Sequence, residues 1–505
     1  MNLIDRAVAF VSPERALKRV RARQAIMHYD AATVGQRASS WKASRTDADA
    51  AAGRRDRMAY IARDMVRNTP FALRAQQVIA NNAVGDGIIP KGIIPKGEND
   101  PDGLREILLN LIENTCDKTI ISADGRQNLY GLQRLAMNTV TDAGEVLILR
   151  EYITDPRPGQ FRLRLRVLEP DFLDSLRDGV LTDGGSIHDG IEYNADGQRV
   201  AYHLFDQHPG TDWFKGIGWR SRSRRVPAHR VLHIYRQDRP GQNRGVSWFA
   251  PIALALQDLG DYQDAQIMRQ KIAACFAAFH KRSDTLADGG NSEATSLGGS
   301  LSPGLIQDIA NDEEITFSNP PDVTGYDTFT RTVLLSIASG MGITYEALVG
   351  DLSNVNFSSA RMGRMEMDRN VSSWQWLMLI PQMMHPIGDW LLEEWALMDP
   401  ENARRIKACS LNWVPPYRIL VDPAREIGAL REAVRAGFAS RQGVVRQLGS
   451  DPERLIEEQQ ADAKDAHDRG LVFDSDPAAV SQSGVTQTPP PADEKTPQRN
   501  NNDGK

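Results

Sequence analysis

Gly350-Asp-Leu-Ser-Asn-Val-Asn-Phe-Ser-Ser-Ala-Arg361 joins two helical patterns. Gly350 tolerates the left-handed backbone of a turn. Ser353, Asn354 and Asn356 are short polar residues that favour loops, and Ser358 or Ser359 is placed to cap the helix that follows. That helix is expected over 358–397, where Pro381 and Pro386 predict a kink or break. Its Met and Trp content reads as a packed core helix, in preference to an adaptable Met-lined contact surface. Upstream, Tyr326 to Gly340 forms the other helical pattern.

Further out, residues 246–280 carry apolar residues 3 or 4 apart: Ile252, Leu256, Leu259, Tyr262, Ala265, Met268, Ile272, Phe276 and Phe279. This predicts one helix of roughly 50 Å at 1.5 Å per residue. Residues 283–303 are rich in Gly, Ser and Asp and read as a loop. Between Glu145 and Tyr235 the pattern is β, with Val146–Leu149, Phe161–Leu168, Gly190–Tyr193, Val200–Leu204 and Val231–Tyr235 as strands. Asn194-Ala-Asp-Gly197 reads as a hairpin turn. Residues 57–84 read as an amphipathic helix interrupted at Asn68-Thr69-Pro70, and 128–141 as another helix. A tandem pentapeptide, Gly87-Ile-Ile-Pro-Lys91 then Gly92-Ile-Ile-Pro-Lys96, reads as a local duplication in a loop. Asp422 to about Gly470 reads as a small helical unit, with caps at Ser440 and Ser450-Asp451. Phe473 to Lys505 lacks apolar periodicity and is expected to be disordered.

Length predicts about three folding units. Hydrophobic residues make up 41% and charged residues 25%, near globular averages, which excludes wholesale disorder and collagen-like order. No stretch approaches a membrane span, and the acids and bases near the N-terminus argue against a signal peptide. Cys116, Cys275 and Cys409 are widely separated, so zinc fingers and a disulfide framework are disfavoured and a reducing compartment fits. A net charge of −6 argues against tight coating of nucleic acid. The charge is uneven. The first 45 residues hold nine Lys/Arg against three acids, and twelve acids face six bases from Asp451 onward, which suggests interaction ends or solvated arms.

Signatures of catalysis are missing. There is no phosphate loop, no dinucleotide fingerprint and no nucleophile elbow. His229 and His233 share a strand face, but without a third ligand nearby in sequence they read as structural. Glu169, Asp171 and Asp174 lack the acid-x-Lys partner of a metal-dependent nuclease and read as a strand end with a turn. The run Arg220, Arg222, Arg224, Arg225, Arg230 suits either phosphate or solvent.

An ordered set of motifs adds a family resemblance. Val66-Arg-Asn-Thr-Pro-Phe71, Asn81-Asn-Ala-Val-Gly-Asp-Gly87, Leu168-Glu-Pro-Asp171, Gly190-Ile-Glu-Tyr193 and His208-Pro-Gly210 come first. Pro240-Gly-Gln-Asn-Arg-Gly-Val-Ser-Trp248, Ala273-Ala-Cys-Phe-Ala-Ala-Phe279, Gly350 to Arg361, Val421-Asp-Pro423 and Ala436-Gly-Phe-Ala-Ser-Arg441 complete it. Over residues 5–472 the chain resembles the lambda-type tailed-bacteriophage portal proteins, the head-tail connectors. It departs from them in the repeated pentapeptide and in Phe357, where the family often has Tyr.

The resemblance implies an α+β portal fold: a mixed wing, a two-helix stem, a small clip, a tunnel loop with a long kinked helix, and a helical crown. The expected parts are a basic arm at 1–56, wing at 57–245, stem helix at 246–280, clip at 281–324 and second stem helix at 325–342. The tunnel loop follows at 343–357, the kinked helix with the rest of the wing at 358–420, the crown at 421–472 and the tail at 473–505. Asp351, Ser353, Asn354, Val355, Asn356 and Phe357 would face DNA, with Arg361 and Arg364 as candidate phosphate contacts. The implied assembly is a homo-oligomeric ring, usually a dodecamer, at one capsid vertex of a phage or prophage. Double-stranded DNA is packaged and ejected through its channel. Implied partners are the terminase large subunit, the major capsid and scaffold proteins and the head-completion adaptors, with no membrane, metal or cofactor. The implied location is the virion, and the host bacterial cytoplasm during assembly. The competing expectation is a metal-dependent nuclease of the same phage module. The acidic balance suits a channel, because each Lys or Arg on a phosphate adds affinity that would hold the strand.

Overall fold

The computed structural model describes residues 47–49, 52–157, 159–210, 223–274, 278–282, 313–317, 325–353, 356–416, 423–448 and 452–471. Most of the expected basic arm, most of the clip, the cap at Ser450-Asp451 and the tail lie outside them. The chain divides into two units, one of residues 1–51 with 239–243 and one of 52–238 with 244–505. In the first, Asn243 N donates to Asp49 Oδ2 (2.9 Å) and Arg239 to the Asp47 carbonyl (3.2 Å). All that follows concerns the second.

Its elements in order are α1 (Ala52–Asn68), α2 (Pro70–Ala83), β1 (Ile89–Ile93), α3 (Pro101–Thr115), α4 (Leu129–Ala143), β2 (Glu145–Tyr152) and β3 (Leu163–Leu168). Next are β4 (Gly179–Val180), β5 (Ser186–His188), β6 (Ile191–Tyr193), β7 (Arg199–Leu204), β8 (Arg224–Pro227), β9 (Val231–Tyr235), α5 (Ala253–Ala274), β10 (Ala278–Arg282) and β11 (Glu313–Phe317). Then come α6 (Tyr326–Met341), α7 (Tyr345–Val349), α8 (Phe357–Trp374), a π-helical segment Gln375–Met384, α9 (His385–Met398), α10 (Ala403–Ala408) and β12 (Ser410–Val414). Three helices end the described chain: α11 (Pro423–Arg435), α12 (Arg441–Gln447) and α13 (Pro452–Asp468).

β2 is the middle strand of an antiparallel sheet ordered β3-β2-β9. Its run Val146-Leu-Ile-Leu149 is apolar throughout because both faces are covered. Val146 and Ile148 join the large helical core with Leu232 and Ile234. Leu147 and Leu149 join a second core with Ile191, Tyr202, Leu204 and Val226 from the five-stranded sheet β4-β5-β6-β7-β8. The β6–β7 turn forms as expected: Asn194 Oδ1 accepts from Asp196 N and Gln198 N, and Gly197 takes a positive φ of 77°. The break between α1 and α2 falls at Thr69, with Pro70 opening the second helix where its missing N–H costs nothing.

Four expectations are corrected. The helix expected over 246–280 is α5, Ala253–Ala274. Residues 248–252 are turns, and Phe279 lies in β10, which the antiparallel ladder with β11 holds extended. Among the described side chains of its apolar spacing, Ile252, Leu256 and Leu259 are core, while Met268 is exposed. Ile89–Ile93 of the tandem pentapeptide is a strand paired with β12 rather than loop. Pro381 neither breaks the long helix nor sits in an α turn; the wider π turns carry the chain past its missing N–H. Finally, the loop expected over 343–357 contains α7.

One buried carboxylate fastens the end of the sheet to the segment leading into α5. Glu145 opens β2 and is almost wholly buried. It accepts from Arg244 Nε (2.8 Å) and Nη2 (2.6 Å), from Gly245 N (2.7 Å) and from His233 Nε2 (2.9 Å). The Arg244 guanidinium outweighs burial and holds the Glu145 carboxyl well below the usual range. Burial, in contrast, pushes His233 below its ordinary value of 6.5, so the imidazole is neutral. Gly144 and Gly245 let the two backbones touch: a Cβ on Gly245 would lie 2.1 Å from Gly144 O. Glu145→Gln strands a buried guanidinium and should lower stability by about 3–5 kcal/mol, read from the thermal midpoint. Both groups act in the same direction with pH. The Glu145 contribution is full above its unfolded value and fades as pH falls. Below about 6.5 the unfolded chain takes up a proton that buried His233 refuses. The share of stability these two groups carry should therefore fall from pH 7 to 5, so the difference in thermal midpoint between the parent and His233→Gln should shift against the parent over that range.

Asp142, three residues earlier on α4, behaves oppositely. Gln76 Nε2 donates to its Oδ2 at 3.2 Å, while Oδ1 is buried with no hydrogen-bond partner. Burial pushes its carboxyl up to about 7 against the pull of Arg63. The folded state then holds a proton that the unfolded state releases, and stability is lost as pH rises from about 4 to about 7. Asp142→Asn should raise the thermal midpoint by roughly 2–4 °C at pH 8 and leave it nearly unchanged at pH 4.

Candidate functional site

The loop after Gly350 is short because both its stems are pinned. Thr344 Oγ1 accepts from Ala347 N (3.2 Å), capping α7, and Gly350 ends that helix at a φ of 79°. Leu348 is buried, and Arg74 Nε donates to the Ala347 carbonyl (3.1 Å), tying α7 to α2. On the far side, Asn370 of α8 donates to the Gly342 carbonyl (3.0 Å). The span between these stems is Gly350 to Asn356.

Within it, Asp351 Oδ1 accepts from Ser353 N (3.0 Å) and Ser353 Oγ (2.6 Å), a turn closed on itself. Those donors hold the Asp351 carboxyl below its ordinary value. Leu352 is 66% exposed. Asn354 and Val355 lie outside the described residues. Asn356 is the cap: its Oδ1 accepts from Ser359 N (2.8 Å), and Ser359 Oγ returns a bond to the Asn356 carbonyl (3.0 Å). This corrects the expected cap at Ser358 or Ser359, because Asn caps as well as Ser and lies one residue before helical Phe357. Arg361 is exposed on the first turns of α8, whereas Arg364 is paired with Asp368 (3.1 Å). From Gly350 to Ala360 the sequence has no Lys or Arg. Such a surface can offer weak hydrogen bonds to phosphate or sugar but no counterion release.

The acidic cluster is split by the fold. Asp174 accepts from Ser223 Oγ (2.6 Å) and stays apart. Glu169 and Asp171 meet His208, which sequence spacing did not reveal because His208 lies across the β7 turn. Arg63 from α1 bonds Asp171 and lies 3.4 Å from Glu169, so a guanidinium supplies the positive charge there. Of the basic run, Arg224 pairs with Asp206, Arg225 with Glu192, and Arg230 donates to the Arg150 carbonyl. Arg220 and Arg222 lie outside the described residues. His233 bonds Glu145, a structural contact within the fold.

The described structure shows no helix long and apolar enough to cross a membrane. A model of the phage portal protein lambda family matches residues 11–375. The probable portal protein of Halomonas phage phiHAP-1 is 23% identical over 447 residues, covering 85% of this chain and 84% of its own length. Portal protein B of Escherichia phage lambda is 22% identical over 373 residues, covering 65% and 67%. Among solved structures, a chain from the virion of a native gene transfer agent particle covers 78% of this chain and 94% of itself, with 14% identity and a TM-score of 0.45. These relatives lend no support to a nuclease. A family match over most of the chain, on a mixed helix and sheet fold that keeps the motifs in order, places this protein in the lambda family of phage portal proteins.

Proposed function

We propose that the chain closes into a ring at one capsid vertex, most simply a dodecamer, and that residues 350–357 line the channel for double-stranded DNA. The family match over residues 11–375 carries this reading. A second observation supports it. The continuous run of α8, π segment and α9 leaves Met362, Met365, Trp376 (53%) and Leu377 (71%) exposed. Exposed apolar residues of this size on one helical run are what a neighbouring subunit would cover, and head-to-tail closure satisfies every copy alike. The terminase large subunit, the capsid and scaffold proteins and the head-completion adaptors are the partners this role requires, in the virion and in the host cytoplasm during assembly.

The expected parts carry over as part of the proposal. α5 and α6 form the stem, β10 and β11 belong to the clip between them, and α11 to α13 form the crown. The loop, pinned at both stems and with no Lys or Arg of its own, suits a constriction past which phosphates slide.

Purified protein under assembly conditions should scatter light as a species many protomers in mass and show rings by negative stain; a stable monomer would overturn the reading. The loop has its own test. Ser353→Lys with Asn354→Lys spares the Asn356 cap, whose loss alone would cost about 1 kcal/mol. Rings should form normally, while packaging slows several-fold and recovers with added salt, because screening and counterion competition weaken phosphate binding. Packaging at the parental rate across a salt series would remove the loop from the channel.

A further inference from the structure

The tandem pentapeptide gives β1 two sets of residues that can occupy one site. In the observed register Pro90 pairs with Trp413, Lys91 with Asn412, Gly92 with Leu411 and Ile93 with Ser410. Ile88, just before the strand, is fully buried, and buried Gln133 clamps its peptide groups: Ile88 N donates to Oε1 (2.7 Å) and Nε2 donates to Ile88 O (2.9 Å). Gly87 is needed as glycine. Its φ is 133°, and a Cβ there would lie 2.4 Å from the Tyr130 ring. A Cβ on Gly92 would lie 2.6 Å from Leu108 Cδ1.

Shifting the chain by five residues replaces Gly87 to Gly92 with Gly92-Ile-Ile-Pro-Lys-Gly97, residue for residue the same. Both glycine sites receive glycine. Ile93 enters the buried site of Ile88, and Pro95 and Lys96 take the places of Pro90 and Lys91. The Gln133 clamp reads peptide groups and is blind to which copy it holds. Ile93 itself, exposed in the observed register, gives way to Glu98. We propose that β1 is a two-register strand that moves five residues of slack between the α2–β1 and β1–α3 connections.

The observed register is the major one. In it Ile94 packs partly against the core, and Glu98 pairs with Arg405 (3.0 Å). The shift replaces Ile94 with Asn99, draws Glu98 away and shortens the approach to α3, whose N-cap is Asp100. The slack appears next to the C-terminal end of α2. There the Ala83 carbonyl accepts from Gln375 Nε2 (2.9 Å), on the helical run that the candidate loop opens. The minor register thus frees α2 and that run to move relative to β12 while the sheet stays paired. The inference stands independently of the portal reading.

Disulfide trapping in the full chain tests it. Lys91→Cys with Asn412→Cys reports the observed register, and Lys96→Cys with Asn412→Cys the shifted one; mass spectrometry separates both from links through Cys409. Both pairs should form, the second more slowly. Ile93→Asp leaves the observed register intact but would bury a charge at the Ile88 site after the shift. It should therefore slow only the second pair, by about tenfold or more. Conversely, Ile88→Asp should drive the chain into the shifted register, speeding the second pair, and should fold where Ile88→Asp with Ile93→Asp does not. Trapping of the second pair that ignores Ile93→Asp, or an Ile88→Asp variant as unstable as the double variant, would overturn the proposal.

Discussion

A single ionised carboxylate, buried where α4 ends and β2 begins, is the constraint on which the arrangement of this protein depends. Glu145 takes bonds from a side chain and a main-chain amide nearly a hundred residues away, and from a neighbouring strand. Removing an ion from water is expensive, and only a full set of charge-assisted donors offsets it. The donors come from segments that would otherwise have little reason to converge. Once they do, the Gly144–Gly245 backbone contact is enforced, and Trp248 N reaches the Thr141 carbonyl (3.1 Å). The Trp248 ring then meets Trp374 at 5.0 Å, where α8 passes into its π segment. Sheet, α5 and the long helical run behind the loop are thereby set from one joint.

The neighbouring carboxylate shows that burial alone does not confer this role. Asp142 and Glu145 are three residues apart, yet one is pushed toward its neutral form and the other is held ionised. The difference lies in the donors. Glu145 has a guanidinium forked onto it, whereas Asp142 has one amide and a more distant Arg63 that is committed to Asp171. A buried acid becomes a structural anchor when the chain brings it cations, and a liability when it does not.

The sequence made legible whatever depends on local chemistry. Pro70 after Thr69, Asn194 to Gly197, and the apolar run of β2 each state a local preference that the fold leaves in place. What it concealed depends on distant partners. Ile89–Ile93 reads as loop because its Gly and Pro content is poor for a strand; only β12, more than three hundred residues later, makes it one. Phe279 continues a helical spacing by coincidence, and the pairing of β10 with β11 overrides it there. His208 joins Glu169 and Asp171, and Glu145 joins Arg244, through folding alone, so no motif spacing could announce either. At the candidate loop the residue types were legible while the cap was misplaced, because Asn356 and the two serines compete for one position and the helix takes the first that fits.

That competition has a consequence for the loop. Of its polar residues, Asn356 is spent on holding α8, and Ser353 and Asp351 are spent on each other. If the loop lines the channel as proposed, these bonds leave its described residues fewer polar groups to lend to a passing strand. In the proposed channel each contact not made would be friction not incurred, because a phosphate leaves a weak neutral hydrogen bond far more readily than it leaves a cation. Next along the sequence, the exposed cation Arg361 stands beyond the cap on α8 rather than on the loop. On the proposed reading, the bonds that shape the described part of the loop would also limit what it offers to phosphate, and both follow from the order Asp-Leu-Ser ahead of the Asn356 cap.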